Sequence, residues 1–339
     1  MQMPKPTPPA ESTEPEQPFD PFQAHFHARW NHLNDRHVRA LAWLLDAPDL
    51  LDPQAPSWQG RIATLAGAVD QAAIDWLAAL DHAPAALHAM LERQNSQRLG
   101  LYAERLLAFY FQQQGSLIAH GLQVRADRTA TVGEFDFLLR HGDALVHWEF
   151  ATKFYLLAPS LGAETTVPNL DRLVGPNLGD RLGVKMRKMF DHQLMLAQHP
   201  AAQIHLPGPV QSAQALVKGW LFYAGVEQLP QSFGISPQHC RGFWRVLSEL
   251  DAVVGDRFVV LPRLQWLAPA KATQDMVLSR QQLQSRLATH FGEHATPVLI
   301  AVMQESGNAM LEGSRGFIVP DDWPYRAQRA VPDGGRGEG

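Results

Sequence analysis

In GEFDFLLRHGDALVHWEFATKFY, residues 133–155, apolar and polar residues alternate with a period of two on both sides of His141-Gly142-Asp143, which is turn chemistry. The pattern predicts two neighbouring antiparallel strands, Glu134–Arg140 and Ala144–Tyr155. Alternation puts Glu134 and Asp136 on one face of the first strand, and Glu149, Ala151 and Lys153 on one face of the second. The strands are otherwise apolar, with Phe135, Phe137, Leu138, Val146, Trp148, Phe150 and Phe154. Charges in such a setting cost free energy unless they pair or bind a metal. Mg²⁺ takes oxygen ligands and would relieve the repulsion between carboxylates. A lysine beside it could position a water or meet charge developing on a phosphate.

Upstream, residues 98–114 carry a helical period, with Leu99, Tyr102, Leu106, Phe109 and Tyr110 as the apolar stripe and Gly115 as a stop. Glu104 lies inside this helix, which, packed on the sheet, could aim it at the same point. Leu117–Val124 reads as a further strand. Downstream, residues 156–184 are rich in Pro, Gly and Asn and read as a long loop in which Asn177 and Asp180 could lie near the charged strands. A basic helix follows at about 181–198, with Arg181, Lys185, Arg187 and Lys188. From Asp171 to Phe190 there are five basic and two acidic residues. That local positive patch suits a phosphodiester backbone, and a plain solvated helix face explains it equally well. His192 and Gln193 could reach the charged strands from this helix, although a surface polar pair is the plainer reading.

The whole chain has 339 residues, 45% of them hydrophobic and 19% charged, with a net charge of −5. That composition is globular, and it excludes a polybasic nucleic-acid or membrane binder. A single cysteine, Cys240, excludes an internal disulfide or a cysteine zinc cluster. No apolar run approaches the roughly 20 residues of a spanning helix, and the N-terminus lacks signal-peptide character, so a cytoplasmic protein without membrane contact is expected. The expected organisation is a disordered Pro-rich tail at 1–22, a helical region at 23–95, a core at 96–200 and a C-terminal α/β region at 201–335. Strand-like segments at Gly219–Tyr223, Gly242–Leu247, Arg257–Leu261, Pro297–Met303 and Gly316–Pro320, with a helix at about 275–291, make the fold class α/β (α+β) with a mixed sheet.

The helix with Glu104, the strand with Gly133-Glu134-Phe135-Asp136, the turn, and the strand with Glu149 resemble the pattern of the PD-(D/E)XK nuclease superfamily, the restriction-endonuclease-like fold, over about residues 96–200. More narrowly, HWEFATKFYL, GPNLGDRL and the later HQL look like a bacterial family, domain of unknown function 1853, which resembles the chain over most of its length and brings no established activity. The superfamily resemblance implies Glu104, Asp136 and Glu149 as ligands of Mg²⁺ or Mn²⁺, helped by the Phe150 carbonyl. It also implies a lysine acting on the attacking water, and products with a 5′-phosphate and a 3′-hydroxyl. In one respect the chain departs from the pattern. The superfamily lysine falls where this chain has Ala151. Lys153 keeps the same face but stands about 7 Å further along, at roughly 3.4 Å per residue.

The expected function is therefore metal-dependent hydrolysis of nucleic-acid phosphodiesters by Glu104, Asp136, Glu149 and Lys153, with Glu134 in support and Arg181, Lys185, Arg187 and Lys188 on the nucleic acid. The alternative is a catalytically inactive nuclease-like fold that binds nucleic acid or protein. No GxGxxG, GxSxG or HExxH pattern supports a dinucleotide enzyme, serine hydrolase or zinc protease.

Overall fold

The structure, a computed structural model, describes residues 21–93, 96–126, 131–159, 170–225, 229 and 233–331. The tail expected at 1–22 lies outside them up to residue 20. Pro21 and Phe22 are not tail: they open α1 (Pro21–Trp30), because the buried Phe22 ring packs edge-on against Trp220. Next come α2 (Arg36–Asp46), α3 (Gln71–His82) and α4 (Ala85–Glu92). Asp35 and Asp70 cap α2 and α3 by accepting main-chain N–H groups of the first turn.

The central run is α5 (Leu99–Gln113), β1 (Leu117–Arg125), β2 (Thr131–His141), β3 (Ala144–Leu157), β4 (Leu173–Val174) and α6 (Leu182–Asp191). It continues with α7 (Pro200–Gln203), β5 (Val210–Tyr223), β6 (Cys240–Val246), β7 (Arg257–Val260), β8 (Lys271–Ala272), β9 (Leu278–Ser279), α8 (Arg280–Glu293), β10 (Val298–Ser306), β11 (Ala309–Val319) and α9 (Trp323–Ala330). Among the described residues eleven strands form one mixed sheet, whose main path runs β1-β2-β3-β5-β6-β11-β10-β7-β9. β1, β2 and β3 are antiparallel neighbours, and β3, β5, β6 and β11 run parallel to one another. The sheet does not stop at residue 200: β5 sits between β3 and β6, so the 96–200 stretch and the chain after it share one sheet.

Three boundaries differ from the sequence reading, each for a local reason. The basic helix ends at Asp191, and Gln193–Gln198 continue as a tighter 3₁₀ turn. The helix expected from about 275 begins at Arg280, where Ser279 and Gln282 make a reciprocal capping box. β5 starts at Val210 rather than Gly219, because a polar opening still pairs with β3: Leu145 donates its N–H to the Gln211 side chain at 2.7 Å. Within the long loop, residues 160–169 lie outside the described residues, and Leu170–Arg172 form a 3₁₀ turn.

Two layers cover the sheet. On one face α1, α2 and α5 pack their apolar sides on β2, β3 and β5, with the Phe111 ring edge-on to Phe137 and Trp148 and Trp43 stacked at 6.4 Å on Trp220. On the other face α6 lays Leu182, Met186, Met189 and Phe190 against Ala151, Tyr155 and Leu221. These burials are the main force holding the layers together. Glu149 of β3 thus lies buried within a sheet covered on both sides. None of the described helices is long and apolar enough to cross a membrane.

Candidate functional site

The ladder between β2 and β3 runs from His141↔Ala144 to Phe137↔Trp148 and then opens. Asp136 and Glu149 are the next residues on the two strands. Asp136 Oδ2 accepts the Phe150 main-chain N–H at 2.9 Å, so its carboxylate occupies the fork. On the other side of β2, His120 pairs with Phe137 and Leu122 with Phe135. Gly121 lies between them with φ +62°, a left-handed conformation that a side chain would resist. Here the two strands change which face they present. Phe137 packs in the core beneath α5, whereas Phe135 packs on the opposite side with its ring edge-on to His147.

Glu149 is fully buried. Its Oε1 accepts from His147 Nε2 at 2.8 Å, and its Oε2 accepts from Gln193 Nε2 at 2.5 Å. Gln193 in turn accepts from Lys185 Nζ at 3.0 Å. Burial, then the neighbouring Glu149 charge, pushes the Asp136 carboxyl up to about 7. Burial likewise pushes Glu149 up to about 7, against the pull of Lys185 and of hydrogen bonds from Asp136. A buried and a half-buried carboxyl thus stand together and resist carrying two negative charges. His147 is fully buried and pushed down to about 4, so at neutral pH it is an uncharged donor. The Lys185 ammonium is lowered by burial and by the nearby Lys153 charge, while Asp136 and Glu149 act to raise it.

Of the residues named from sequence, Asp136 and Glu149 meet at the fork. Glu104 does not join them as a third ligand. It sits on α5, across the sheet from Gln193, and its Oε1 accepts from His120 Nε2 at 2.8 Å. Its charge still raises both carboxyls. Among the described residues no three His, Cys, Asp or Glu side chains form a ready set of metal ligands. Glu134 is exposed. Lys153 shares the Glu149 face, but its ammonium pairs with Asp180 Oδ2 at 2.5 Å, an oxygen that also accepts from the Tyr155 hydroxyl at 3.0 Å. Asp180 thus lies beside Lys153 and Tyr155, whereas Asn177 and His192 are exposed.

The four basic residues of the helical patch do not share one face. Lys185 turns inward to Gln193, Arg187 pairs with Asp171 at 2.9 Å, Arg181 donates to the Ala330 carbonyl at 3.2 Å, and Lys188 is exposed. The sequence reading missed His147 as a partner of Glu149 and Lys185 as a partner of the carboxyl pair. Both signals were present. His147 is two residues from Glu149 on a strand, and Lys185 is three residues after Leu182 and four before Met189 on the buried side of α6.

These features define a mixed α/β protein with a buried, proton-hungry carboxyl pair at a strand fork and a lysine linked to it through an amide. By sequence the chain matches the family described as Domain of unknown function (DUF1853) over residues 39–319, and it belongs to that family. No curated protein and no solved structure matches it.

Proposed function

We propose that the chain is a metal-dependent phosphodiesterase of restriction-endonuclease-like architecture that acts on nucleic acid, with Asp136 and Glu149 as the protein's metal ligands. The carrying observation is the carboxyl pair, Glu149 buried and Asp136 half-buried, pushed up to about 7 on both members and, among the described residues, with no lysine or arginine in direct contact. A divalent cation is the partner that such a pair lacks. Mg²⁺ needs no all-protein cage: one or two carboxylates plus waters and substrate phosphate oxygens suffice, so Glu104 on the far face is not required as a ligand. The order α5, β1, β2, β3, α6, β5, with three antiparallel strands and then a parallel one, supports the same reading.

When bound, Mg²⁺ or Mn²⁺ would polarise a phosphoryl oxygen and lower the pKa of a water. The chain's own groups prepare the place. His147 and Gln193 fix the Glu149 carboxylate, and the Phe150 N–H fixes that of Asp136. Hydrolysis joins the water oxygen to phosphorus and breaks the P–O3′ bond. One water proton goes to the departing 3′ oxygen, leaving a 3′-hydroxyl and a 5′-phosphate.

A second reading, a nuclease-like fold kept for binding without turnover, draws on the fact that both Glu149 oxygens already accept hydrogen bonds. Single-turnover cleavage of mixed DNA and RNA substrates with Mn²⁺, comparing the wild type with Asp136→Ala, separates the two. Cleavage by the wild type and its loss in the variant fit the hydrolytic reading. Equal behaviour of both proteins discards it, and salt-sensitive binding without turnover leaves the second.

A further inference from the structure

We propose that Lys185 of α6, not Lys153 of β3, supplies the amine of the carboxylate site, reaching Glu149 through Gln193. The inference rests on the phosphodiesterase reading and names which lysine serves it. Three observations carry it. Lys185 Nζ donates to Gln193 Oε1 at 3.0 Å and Gln193 Nε2 donates to Glu149 Oε2 at 2.5 Å, so two hydrogen bonds connect the ammonium to the buried carboxylate. Lys153 is engaged elsewhere, since Asp180 neutralises it at 2.5 Å and the Tyr155 hydroxyl shares the accepting oxygen. Ala151, at the strand position two residues after Glu149, is buried in the layer with Met186 and Met189. A methyl group there lets α6 lie close to the strand and bring its own lysine over the fork.

The electrostatics agree with the geometry. Lys185 is the cation whose charge offsets burial at both Asp136 and Glu149. The break of the helix after Asp191 has a consequence here too: the 3₁₀ turn that follows swings Gln193 back toward β3, where a continued α-helix would carry it past. An amide between lysine and glutamate holds the amine near the carboxylates without spending it on a direct ion pair. It stays available to a substrate phosphate oxygen or to the attacking water. A lysine on a helix also lies outside the ladder, so it can shift by side-chain rotation alone when a phosphodiester enters.

The test uses the full chain as wild type, Lys185→Met, Lys185→Arg, Lys153→Met and Asp136→Ala, with two readouts. The first is single-turnover cleavage with Mn²⁺. The second is calorimetric titration with Mn²⁺ alone, which does not depend on turnover. Lys185→Met should cut cleavage by about 100-fold or more, as loss of one transition-state donor does. Titrated well above pH 7, where both carboxyls are ionised with or without the lysine, it should also bind Mn²⁺ more tightly, because a positive charge competing for the carboxylates is gone. Lys185→Arg keeps that charge and should keep the wild-type Mn²⁺ affinity, which also reports that the site is folded. Lys153→Met should leave both readouts near wild type. The proposal is overturned if Lys153→Met loses cleavage while Lys185→Met keeps it, or if Lys185→Met leaves Mn²⁺ affinity unchanged. Failure of the parent reading looks different: wild type and Asp136→Ala then match in both cleavage and Mn²⁺ titration, whatever the lysine variants do.

Discussion

Two fully buried glutamates lie in the same sheet and live in opposite surroundings. Glu312 on β11 meets Arg315, whose Nε and Nη2 donate to its two oxygens at 2.6 and 2.8 Å, and it accepts the Ala270 N–H at 2.8 Å as well. The Arg315 guanidinium also donates to the Trp266 and Ala268 carbonyls and lies 4.2 Å from the Trp220 ring centre. Glu149 on β3 touches an uncharged imidazole and a neutral amide, stands beside another carboxyl, and meets the Lys185 charge only through that amide. In the first place the two charges meet directly and are further hydrogen-bonded within the protein, which is what a structural ion pair requires. In the second, among the described residues, no lysine or arginine touches the carboxylate directly, which is where the proposed cation would bind. A buried carboxylate thus marks a site when its neighbours fail to neutralise it, and burial alone says nothing.

The comparison breaks most sharply on removing the partner of the matched glutamate. Arg315→Met leaves Glu312 buried and uncompensated and should destabilise the fold by about 3–5 kcal/mol, read by urea denaturation. Adding Glu312→Gln should restore a large part of that loss. A single variant as stable as the wild type would mean that Glu312 is no more dependent on its partner than Glu149 is. The fork should respond in the opposite sense. Glu149→Gln removes a charge that the fold tolerates poorly, so melting temperature at alkaline pH should rise by a few degrees while the heat of Mn²⁺ binding disappears. A fall in melting temperature with Mn²⁺ binding intact would remove the contrast between the two glutamates.

The pH dependence sharpens the same contrast. Burial pushes His27, His37, His147 and His239 down to about 4. The unfolded chain takes up those protons near pH 6.5 and the folded chain does not, so this stability is complete above about pH 6.5 and drains away toward 4. Asp136 and Glu149 act the other way. Pushed up to about 7, they keep protons in the fold that the unfolded chain releases near 4. Their contribution is present in acid and is lost as the pH rises through 7. The Asp136→Asn, Glu149→Gln double variant should therefore gain stability above neutral pH and lose it more steeply than the wild type between about pH 6.5 and 4. Parallel stability curves for the two proteins would contradict the raised carboxyls.

What sequence could deliver follows from which interactions are local. The change of period from 3.6 in Leu99–Gln113 to 2 in Leu117–Leu157, with Gly142 at φ +58° in the turn, is written in neighbouring residues, so the helix, the hairpin and the two carboxylate positions were legible. The facing of helices is a tertiary matter. A charge count along residues 171–190 treats Lys185 and Lys188 alike, but the stripe Leu182, Met186, Met189 turns the first inward and leaves the second in water. Glu104 was legible as a helix residue aimed at the sheet, but not as one arriving on the opposite face from Gln193. The early part of β5 was hidden because Gln211, Ser212 and Gln214 look like a loop until β3 lies beside them.

The smallest effect belongs to Glu104. It sits on α5 rather than on the fork strands, and its contact is His120 at 2.8 Å, a pair partly open to water. Its charge nevertheless holds the two fork carboxyls above their ordinary range, alongside burial. Glu104→Gln should therefore ease the ionisation of Asp136 and Glu149, and in the metal-free protein NMR titration should show both carboxyls losing their protons at lower pH. Two opposing changes then meet in Mn²⁺ affinity. More of the fork is ionised, while the long-range attraction of a third carboxylate is lost. Because the two offset, affinity should move by less than about tenfold, where Glu149→Gln abolishes it. Stability should fall by no more than about 1 kcal/mol, the range of a partly exposed pair. A loss of binding as complete as that of Glu149→Gln would put Glu104 back among the ligands, and would require α5 to reach the fork in a way that its hydrogen bond to His120 now opposes.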